Sequence, residues 1–355
     1  MSKNERTRVQ ISRLIMAFVA IIAWSVHSYA SDVSEKRLLV IDSQVGDPYQ
    51  TVRESMLDSL AAKGYNEAAG FTHEYYSLSH YHGAAISLWR HRIQKVQYDA
   101  IFLNGTLAVS SFKQIAWKSE QHPFIFASVT DPEGLGLIDA FDTAPPENFT
   151  GVAYRVPVED RLKFVKRLIP NVKNIGLVYA DMPQSHSYRG WLDALMKKKE
   201  WAGVKLHYRQ VDFIPSEGGH RRMAQMAKAY VEELDPIVDV FLSPNDQMGA
   251  QRPFAEMVEK TATKPLIGVG RHEVAENWGA VASIYPDEGT IGAQAAEMVA
   301  RLLEGENIST IHPQRSAKLG VIIDATRAER FGLKLDSELL DQAEIIRNTP
   351  LNRRQ

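Results

Sequence analysis

The side chains of this sequence that could take part in chemistry directly follow its short apolar segments. Hydroxyl, phenol, carboxylate, carboxamide and guanidinium groups occur there, and each can hydrogen-bond a small polar molecule. None of them has to act as a nucleophile, so the pattern predicts binding of a small ligand without covalent chemistry. The candidate ligand-binding residues are Ser43, Thr106, Ser128, Thr130, Asp131, Tyr154, Arg155, Asp181, Asn245, Asp246, Arg271 and Asp287.

The motifs of common catalytic and cofactor sites do not occur in the sequence. It has no GxxxxGKS/T, HExxH, GxSxG or EF-hand motif, and no cysteine. His80 and His82 are two positions apart, but nothing in the sequence fixes a third or fourth metal ligand beside them. The glycine pairs at 134–136 and 268–270 do not extend to a dinucleotide-binding motif. We therefore predict no enzymatic activity, no cofactor and no metal.

Length, composition and charge narrow the class of protein. The chain has 355 residues, of which 45% are hydrophobic and 24% charged, which is typical of a globular protein. One hydrophobic core rarely organises so long a chain, so we expect two lobes. The formal net charge of -2 leaves no broad basic surface. We therefore predict no nucleic-acid partner.

Residues 1–30 have the three-part plan of a secretory signal peptide. A basic start precedes the apolar run 14–24, and Ser28 and Ala30 occupy the -3 and -1 positions of a cut after Ala30. The run is shorter than the roughly 20 residues of a transmembrane helix. An uncleaved anchor or a buried helix is the alternative. Because no cysteine follows, a lipoprotein is excluded, and we predict a soluble protein in a periplasm.

The rest of the chain alternates apolar strand-like segments with helical patterns, in two successive sets divided near Pro145 and Pro146. Such alternation predicts parallel sheets covered on both faces, and hence an α/β fold of two doubly wound, Rossmann-like lobes with a hinge. Residues 336–355 read as a loosely held polar tail. The predicted strands are 37–42, 99–103, 123–129, 149–154, 174–180, 205–211, 239–243, 265–269, 280–284 and 320–324. The predicted helices are 51–63, 86–96, 107–118, 158–168, 187–201, 220–234, 248–260 and 288–304.

Ligands of open parallel sheets bind beyond the carboxyl ends of the strands, so two facing lobes predict a cleft that a hinge can close. Gly105 and Thr106 open a helix at such an end. The free backbone N–H groups of the first helical turn suit a ligand carboxylate. The alternative is that Thr106 and Asp131 only cap helices or stabilise turns.

Several segments, in order, resemble ABC-transporter substrate-binding proteins of the branch that includes tryptophan- and tyrosine-binding members. They are FIFASVTDPEG at 124–134, NFTGVAYRVPVED at 148–160, LIPNVKNIGLVYA at 168–180, VDVFLSPND at 238–246, PLIGVG at 265–270, AVASIYPDEGTIGAQAAEM at 280–298 and LGVIIDATRAERFGL at 319–333. The resemblance implies a type I periplasmic-binding-protein fold with three crossovers. Its lobes would be residues 36–150 with 286–315, and residues 151–285 with 316–335.

The resemblance also implies roles for matching residues. Thr106 would help to hold a ligand carboxylate, and Ser128 and Thr130 would line the wall of the first lobe. An ammonium group of the ligand would be held by Asn245, Asp246 and Asp287. Two arginines depart from the family pattern, Arg155 and Arg271. They indicate either an anionic ligand, bound in bidentate fashion, or an interlobe salt bridge.

The resemblance implies a function as the solute receptor of an ABC importer. A monomeric protein would capture an amino acid or a related small carboxylate between its lobes and deliver it to a permease in the inner membrane. The alternative is a ligand-sensing subunit of a membrane signalling protein, such as a sensor kinase or cyclase. The sequence does not separate these two partners.

Overall fold

The computed structural model describes residues 35–216 and 218–349, so the predicted signal peptide lies outside it. Its first sheet contains six strands, all paired in parallel. They are β1 (Lys36–Asp42), β2 (Phe71–Ser77), β3 (Ala100–Asn104), β4 (Phe124–Val129), β5 (Phe149–Ala153) and β11 (Gln314–Arg315). Their order across the sheet is β11-β5-β4-β3-β1-β2.

The second sheet contains seven strands. They are β6 (Asn174–Ala180), β7 (Lys205–Val211), β8 (Val240–Leu242), β9 (Leu266–Gly268), β10 (Ala282–Pro286), β12 (Leu319–Asp324) and β13 (Glu344–Ile346). Their order is β13-β12-β10-β9-β8-β6-β7. All neighbours are parallel except β10 and β12, which are antiparallel.

Helices cover both faces of each sheet. They are α1 (Tyr49–Ala62), α2 (His82–Leu88), α3 (Thr106–Ala116), α4 (Val158–Leu168), α5 (Pro183–Leu195), α6 (Gly219–Leu234), α7 (Arg252–Thr261), α8 (His272–Ala275), α9 (Glu288–Leu303), α10 (Ala325–Arg330) and α11 (Ser337–Gln342). Every helix within the described ranges is too short or too polar to cross a bilayer.

Each sheet has an apolar core on both faces. In β1, Leu38 and Val40 pack into one cluster with α1 and α9, while Leu39 and Ile41 face the other cluster, on the side of α3. Two clusters likewise enclose the second sheet. This two-sided burial confirms the predicted α/β class with two doubly wound sheets. We call the first sheet with α1, α2, α3 and α9 the first lobe, and the second sheet with the remaining helices the second lobe.

The chain passes between the two sheets three times: after β5, between β10 and α9, and between β11 and β12. The second passage brings α9 back to the first lobe, where it packs along α1. A side chain at Gly292 would place its Cβ 2.5 Å from the Val52 carbonyl oxygen, so this approach requires glycine. Ser55 on α1 donates a hydrogen bond to the Gly289 carbonyl at 2.7 Å.

The prediction of a loosely held tail at 336–355 is wrong for 336–349, the part of the segment that the structure describes. Within it, α11 and β13 are regular elements, and β13 pairs in parallel with β12. The Asp336 side chain accepts from the Leu339 N–H at 2.8 Å and so caps α11. Leu339 is 1% exposed. A single buried leucine and a three-residue strand leave too short an apolar pattern to identify from sequence.

Two further differences concern the first lobe. The edge strand β2 was not predicted, because most of its side chains are exposed and it carries no apolar run. The helix predicted at 86–96 begins earlier, as α2, and continues as a π-helical turn over Trp89–Ile93.

Candidate functional site

The carboxyl ends of β1, β3 and β4 meet at the start of α3. The Ser43 N–H donates to the Asn104 carbonyl at 2.9 Å, and the Gly105 N–H to the Ala127 carbonyl at 2.8 Å. The Ser43 Oγ accepts from the Ala108 N–H at 3.0 Å, so Ser43, and not Thr106, caps the helix. The structure thus brings the predicted residues Ser43, Thr106 and Ser128 to one edge of the first sheet.

Gly105 makes this junction possible. Its φ is +105°, and a Cβ there would lie 2.4 Å from both the Ser43 Oγ and a ring carbon of Tyr49. Any other residue would therefore push these two side chains away from the start of α3. The close approach leaves the N-terminal backbone of α3 directly behind the wall of the cleft.

Asn104, at the end of β3, was not among the residues selected from the sequence. Its Nδ2 donates to the Asp42 Oδ1 at 3.0 Å and to the Tyr49 carbonyl at 2.8 Å. These two bonds use both hydrogens of the amide and fix its orientation. The Asn104 Oδ1 is consequently a buried acceptor without a partner in the described chain.

Other buried polar atoms near the cleft also lack partners among the described residues. In the first lobe these are the Ser128 Oγ and both ring nitrogens of His80, and in the second lobe the Gln247 Oε1. His80 and Gln247 were not selected from the sequence. A signal for Gln247 was present, since it follows Asn245 and Asp246 behind β8. His80 follows β2, the strand that was missed.

Tyr154 stands at the first passage between the lobes and touches elements of both. Its hydroxyl donates to the Glu288 Oε1 at 2.9 Å. Burial raises the pKa values of both Tyr154 and Glu288 above their ordinary values. Tyr154 also lines two interlobe cavities of about 10 Å³ each, one beside Asn245 and Tyr188. Each has the size of one water molecule.

Direct contacts close the two lobes on each other. Gln251 of the second lobe donates from Nε2 to the Asp47 carbonyl of the first lobe at 3.0 Å. Gln247 Nε2 lies 3.4 Å from Gln44 Oε1, and His272 Nε2 lies 3.7 Å from Asp47 Oδ1. These three contacts are polar, and together they hold the cleft closed.

Asp246 was predicted to bind a ligand ammonium group, but its carboxylate is not free to do so. It accepts from the N–H groups of Ala180, Met248 and Gly249 and from the Ser185 hydroxyl, all at 2.8–2.9 Å. Burial raises the pKa of Asp246, and these hydrogen bonds oppose the rise. Its acceptor positions are filled from within the protein.

Asp287 caps α9. Its carboxylate is therefore not free for the predicted role of binding a ligand ammonium group. Its Oδ1 accepts from the Thr290 N–H at 2.8 Å and from the Thr290 hydroxyl at 2.7 Å, and Lys318 lies 3.5 Å from Oδ2. Burial raises the pKa of Asp287, but the Thr290 hydrogen bonds and Lys318 outweigh it and hold the pKa below its usual value.

The two arginines have partners inside the protein. Arg155 lies 3.4 Å from Glu133, and its guanidinium stacks on the Trp191 ring of the second lobe at 4.5 Å. Arg271 forms a bidentate pair with Glu344 of β13, within the second lobe. The structure therefore shows an interlobe contact at Arg155, through an aromatic ring, and no interlobe salt bridge at Arg271.

The remaining predicted residues divide between turn, surface and cleft. Asp131 accepts from the Gly134 N–H at 2.9 Å, as the turn-stabilising alternative expected. Asp181 is exposed and pairs with His186 at 2.6 Å. Thr130 is buried beside β4, and Asn245 lines one small interlobe cavity.

Glu273 is a buried carboxylate that the sequence analysis missed. It accepts from the Gly270 N–H at 2.7 Å and from the Val269 N–H and the Ser243 hydroxyl. Burial raises its pKa against these bonds. Three internal donors make it a structural anchor for the loop behind β9.

Asp47, His272 and Glu276 have the side-chain types of a metal site, with one ligand atom each within 4.8 Å of the others. The atoms already have protein partners. His272 Nδ1 lies 3.1 Å from Glu276 Oε1, the Trp278 Nε1 donates to Glu276 Oε2 at 3.1 Å, and Asp47 Oδ1 accepts from the Thr51 hydroxyl at 2.7 Å. The group is a hydrogen-bonded cluster that joins the two lobes.

Two lobes, three chain passages and a cleft at the strand ends agree with the family match. The sequence profile for "ABC transporter substrate binding protein" matches residues 40–346. The chain belongs to this family of ABC transporter substrate-binding proteins. The resemblance found in the sequence is thereby confirmed. No curated protein sequence matches the chain.

Several solved structures share this fold. A conserved domain protein from Vibrio cholerae O1 biovar El Tor has 23% identity and a TM-score of 0.75, covering 88% of this chain and 99% of its own. An ABC domain from Streptococcus pneumoniae in complex with L-Trp has 19% identity, a TM-score of 0.75 and the same coverage. A ligand-free, open substrate-binding protein with adhesive properties from Clostridium difficile has 18% identity and a TM-score of 0.66, covering 88% and 100%. These likenesses confirm the type I periplasmic-binding-protein fold.

Proposed function

We propose that this substrate-binding protein is the periplasmic receptor of an ABC importer and that it captures an amino acid or a related small carboxylate between its lobes. The ligand touches both walls only when the lobes are closed, so it stabilises the closed form. A permease in the inner membrane would receive the ligand from the closed, monomeric receptor. The signal-peptide pattern of residues 1–30 supports export.

The observation that carries this proposal is the set of unmet polar atoms on the cleft walls. Asn104, Ser128 and His80 in the first lobe and Gln247 in the second present buried hydrogen-bonding atoms without a partner in the described chain. Leaving such groups unmet costs about 1–3 kcal/mol each. A polar ligand that bridges the walls would satisfy groups from both lobes at once.

Two further features support an amino acid as the ligand class. The start of α3 gives backbone N–H donors suited to a carboxylate, beside Thr106 and Ser128. The Streptococcus pneumoniae structure of the same fold has L-Trp bound. Other structures of this fold contain myo-inositol or L-rhamnose, so sugars and polyols are the competing ligand class.

The test is a ligand screen on protein that has been unfolded and refolded to remove any passenger. Amino acids, small carboxylates, myo-inositol and L-rhamnose are compared by thermal shift, and each hit is titrated calorimetrically. We expect an amino acid to bind with one-to-one stoichiometry. At 100 times its dissociation constant it should stabilise the fold by about 2.7 kcal/mol.

Two outcomes would contradict the proposal. One is turnover of a compound without stoichiometric binding, which would indicate an enzyme. The other is a screen in which only the polyols and sugars raise the melting temperature. That result would make sugars or polyols, and not amino acids, the ligand class of the receptor. Transport of the identified ligand by cells with and without the receptor tests the import step separately.

A further inference from the structure

The loop behind β2 holds His80 in an unusual state. Its ring is 2% exposed, and neither ring nitrogen has a hydrogen-bond partner in the described chain. Ser79 and His80 have φ values of +48° and +54°, in the left-handed region that most side chains avoid. The His80 N–H donates to the Ser43 carbonyl at 2.8 Å, which ties the loop to the end of β1.

Ser128, near the end of β4, combines the same three properties. Its φ is +56°, it is buried, and its Oγ has no partner among the described residues. The other non-glycine residues of the described chain with positive φ are all at least partly exposed: Ser79, Lys118, Asp142 and Asn277. Left-handed backbone at a buried polar residue costs of order 1–3 kcal/mol and clusters at ligand sites. Both buried cases here lie at the cleft edge of the first sheet.

His80 lies close to His220, at the start of α6 in the second lobe. Burial, with a smaller contribution from His220, lowers the pKa of His80 to about 4. At neutral pH the ring is therefore uncharged, with one N–H donor and one acceptor nitrogen. Three charged residues predicted for the cleft, by contrast, are paired inside the protein: Asp246 with backbone N–H groups, Arg155 with Glu133, and Arg271 with Glu344.

We propose that His80 contacts the ligand and selects for it, by hydrogen-bonding an uncharged polar group such as a hydroxyl or a carboxamide. A neutral imidazole that both donates and accepts matches such a group better than it matches a full charge. The inference rests on the proposed function, since it assigns a specificity-determining residue to the same cleft. A ligand contact also explains why the ring is buried although its two nitrogens have no hydrogen-bond partner among the described residues, an arrangement that lowers stability.

The experiment compares wild type with His80→Phe, which keeps the ring size and removes both nitrogens. The probes are matched pairs that differ in a side-chain polar group: L-tyrosine with L-phenylalanine, L-serine with L-alanine, and L-asparagine with L-leucine. We expect wild type to prefer the polar member of at least one pair by about tenfold, the range of a well-made hydrogen bond. His80→Phe should reduce this preference to less than about twofold.

Stability separates a ligand contact from a structural role. Removing unmet buried nitrogens should leave the melting temperature of His80→Phe equal to or above that of wild type. His80→Asn is the second variant, because asparagine tolerates left-handed backbone better than phenylalanine does. The control is His122→Phe, which changes a buried histidine that is bonded to Ser119 at 2.8 Å and should leave the preference unchanged.

The outcomes distinguish this inference from the function on which it rests. Wild type that binds no probe and none of the screened compounds overturns the receptor function, and the role of His80 with it. If wild type, His80→Phe and His80→Asn all show the same preference within a probe pair, only the role of His80 is overturned. Loss of preference in both variants, with the melting temperature retained, supports it.

Discussion

At the scale of single residues, the cleft separates charged groups from neutral ones. Asp246 and Glu273 are saturated by internal donors, and Arg161, 1% exposed, donates to the Tyr188 hydroxyl and to the carbonyls of Ser243 and Gly268. Such internally paired charges position backbone and loops. The partnerless atoms at the strand ends of the first sheet belong to neutral side chains, whereas the Arg161 Nε is a buried donor without a partner among the described residues, on a side chain that lines a small interlobe cavity.

The first prediction concerns the cap of α9. Asp287→Ala should lower the free energy of unfolding by about 1 kcal/mol, because the Thr290 N–H loses its acceptor. Asp287→Asn removes the charge but keeps a good capping side chain, so its unfolding midpoint in urea should stay near that of wild type. Ligand affinity should be unchanged in the asparagine variant. A large loss of affinity there would return Asp287 to the binding site.

The second prediction concerns acid stability. The His80 ring has a pKa of about 4 in the folded protein against 6.5 as its ordinary value. Between these values the unfolded chain binds more protons, so the free energy of unfolding falls as the pH decreases from 6.5 to 4 and levels off below. The full loss is about 3 kcal/mol. In urea unfolding at several pH values, His80→Phe should lack this component, and parallel curves for the two proteins would refute it.

At the scale of elements, apolar runs were sufficient to predict the central strands. Those strands are buried on both faces and carry a continuous signal, as in FIFASV of β4. Of the four edge strands, β2, β11 and β13 were missed, because an edge position buries few side chains and leaves no such run, and only β7 was predicted. Element type is thus readable from sequence where burial is two-sided.

The same reasoning explains which site residues were predictable. The strand-end rule selected Ser43, Thr106 and Ser128, which the fold does bring to one edge. It could not distinguish a contact from a cap at Asp246 or Asp287, since that depends on which donors the neighbouring loops supply. The orientation of the Asn104 amide could not be predicted either, because its two acceptors lie 62 and 55 positions away in the sequence.

The third prediction tests α11 as part of the fold. Leu339→Ala should destabilise the protein by about 2–4 kcal/mol, because Leu339 is 1% exposed in the core of the second lobe. Leu340→Ala is the matched control: its side chain is 42% exposed, and its effect should stay within about 0.5 kcal/mol. Equal midpoints for both variants in urea would mean that the segment is not packed in solution.

At the scale of the whole molecule, closure is held by a small number of polar contacts between the lobes. Polar contacts of this kind exchange readily with water, so the open and closed forms differ by little free energy. The ligand then supplies the difference that selects the closed form. A receptor needs this balance, because it has to release what it captures.

The fourth prediction follows from that balance. Gln251→Ala removes the donor to the Asp47 carbonyl and should lower ligand affinity about fivefold, the equivalent of one hydrogen bond. The unfolding midpoint without ligand should not change. Gln225→Ala, an exposed position on α6, is the control. If Gln251→Ala matched wild type in affinity and in radius of gyration with ligand, closure would not depend on this contact.

The return of α9 to the first lobe has a consequence for synthesis. The face of α1 that carries Val52 and Met56 is covered by residues of α9 that are made more than 200 positions later. A nascent first lobe therefore cannot complete its core until α9 has been synthesised, and its apolar face stays uncovered until then. Such a delay would suit the proposed export, in which the chain crosses a membrane before it folds.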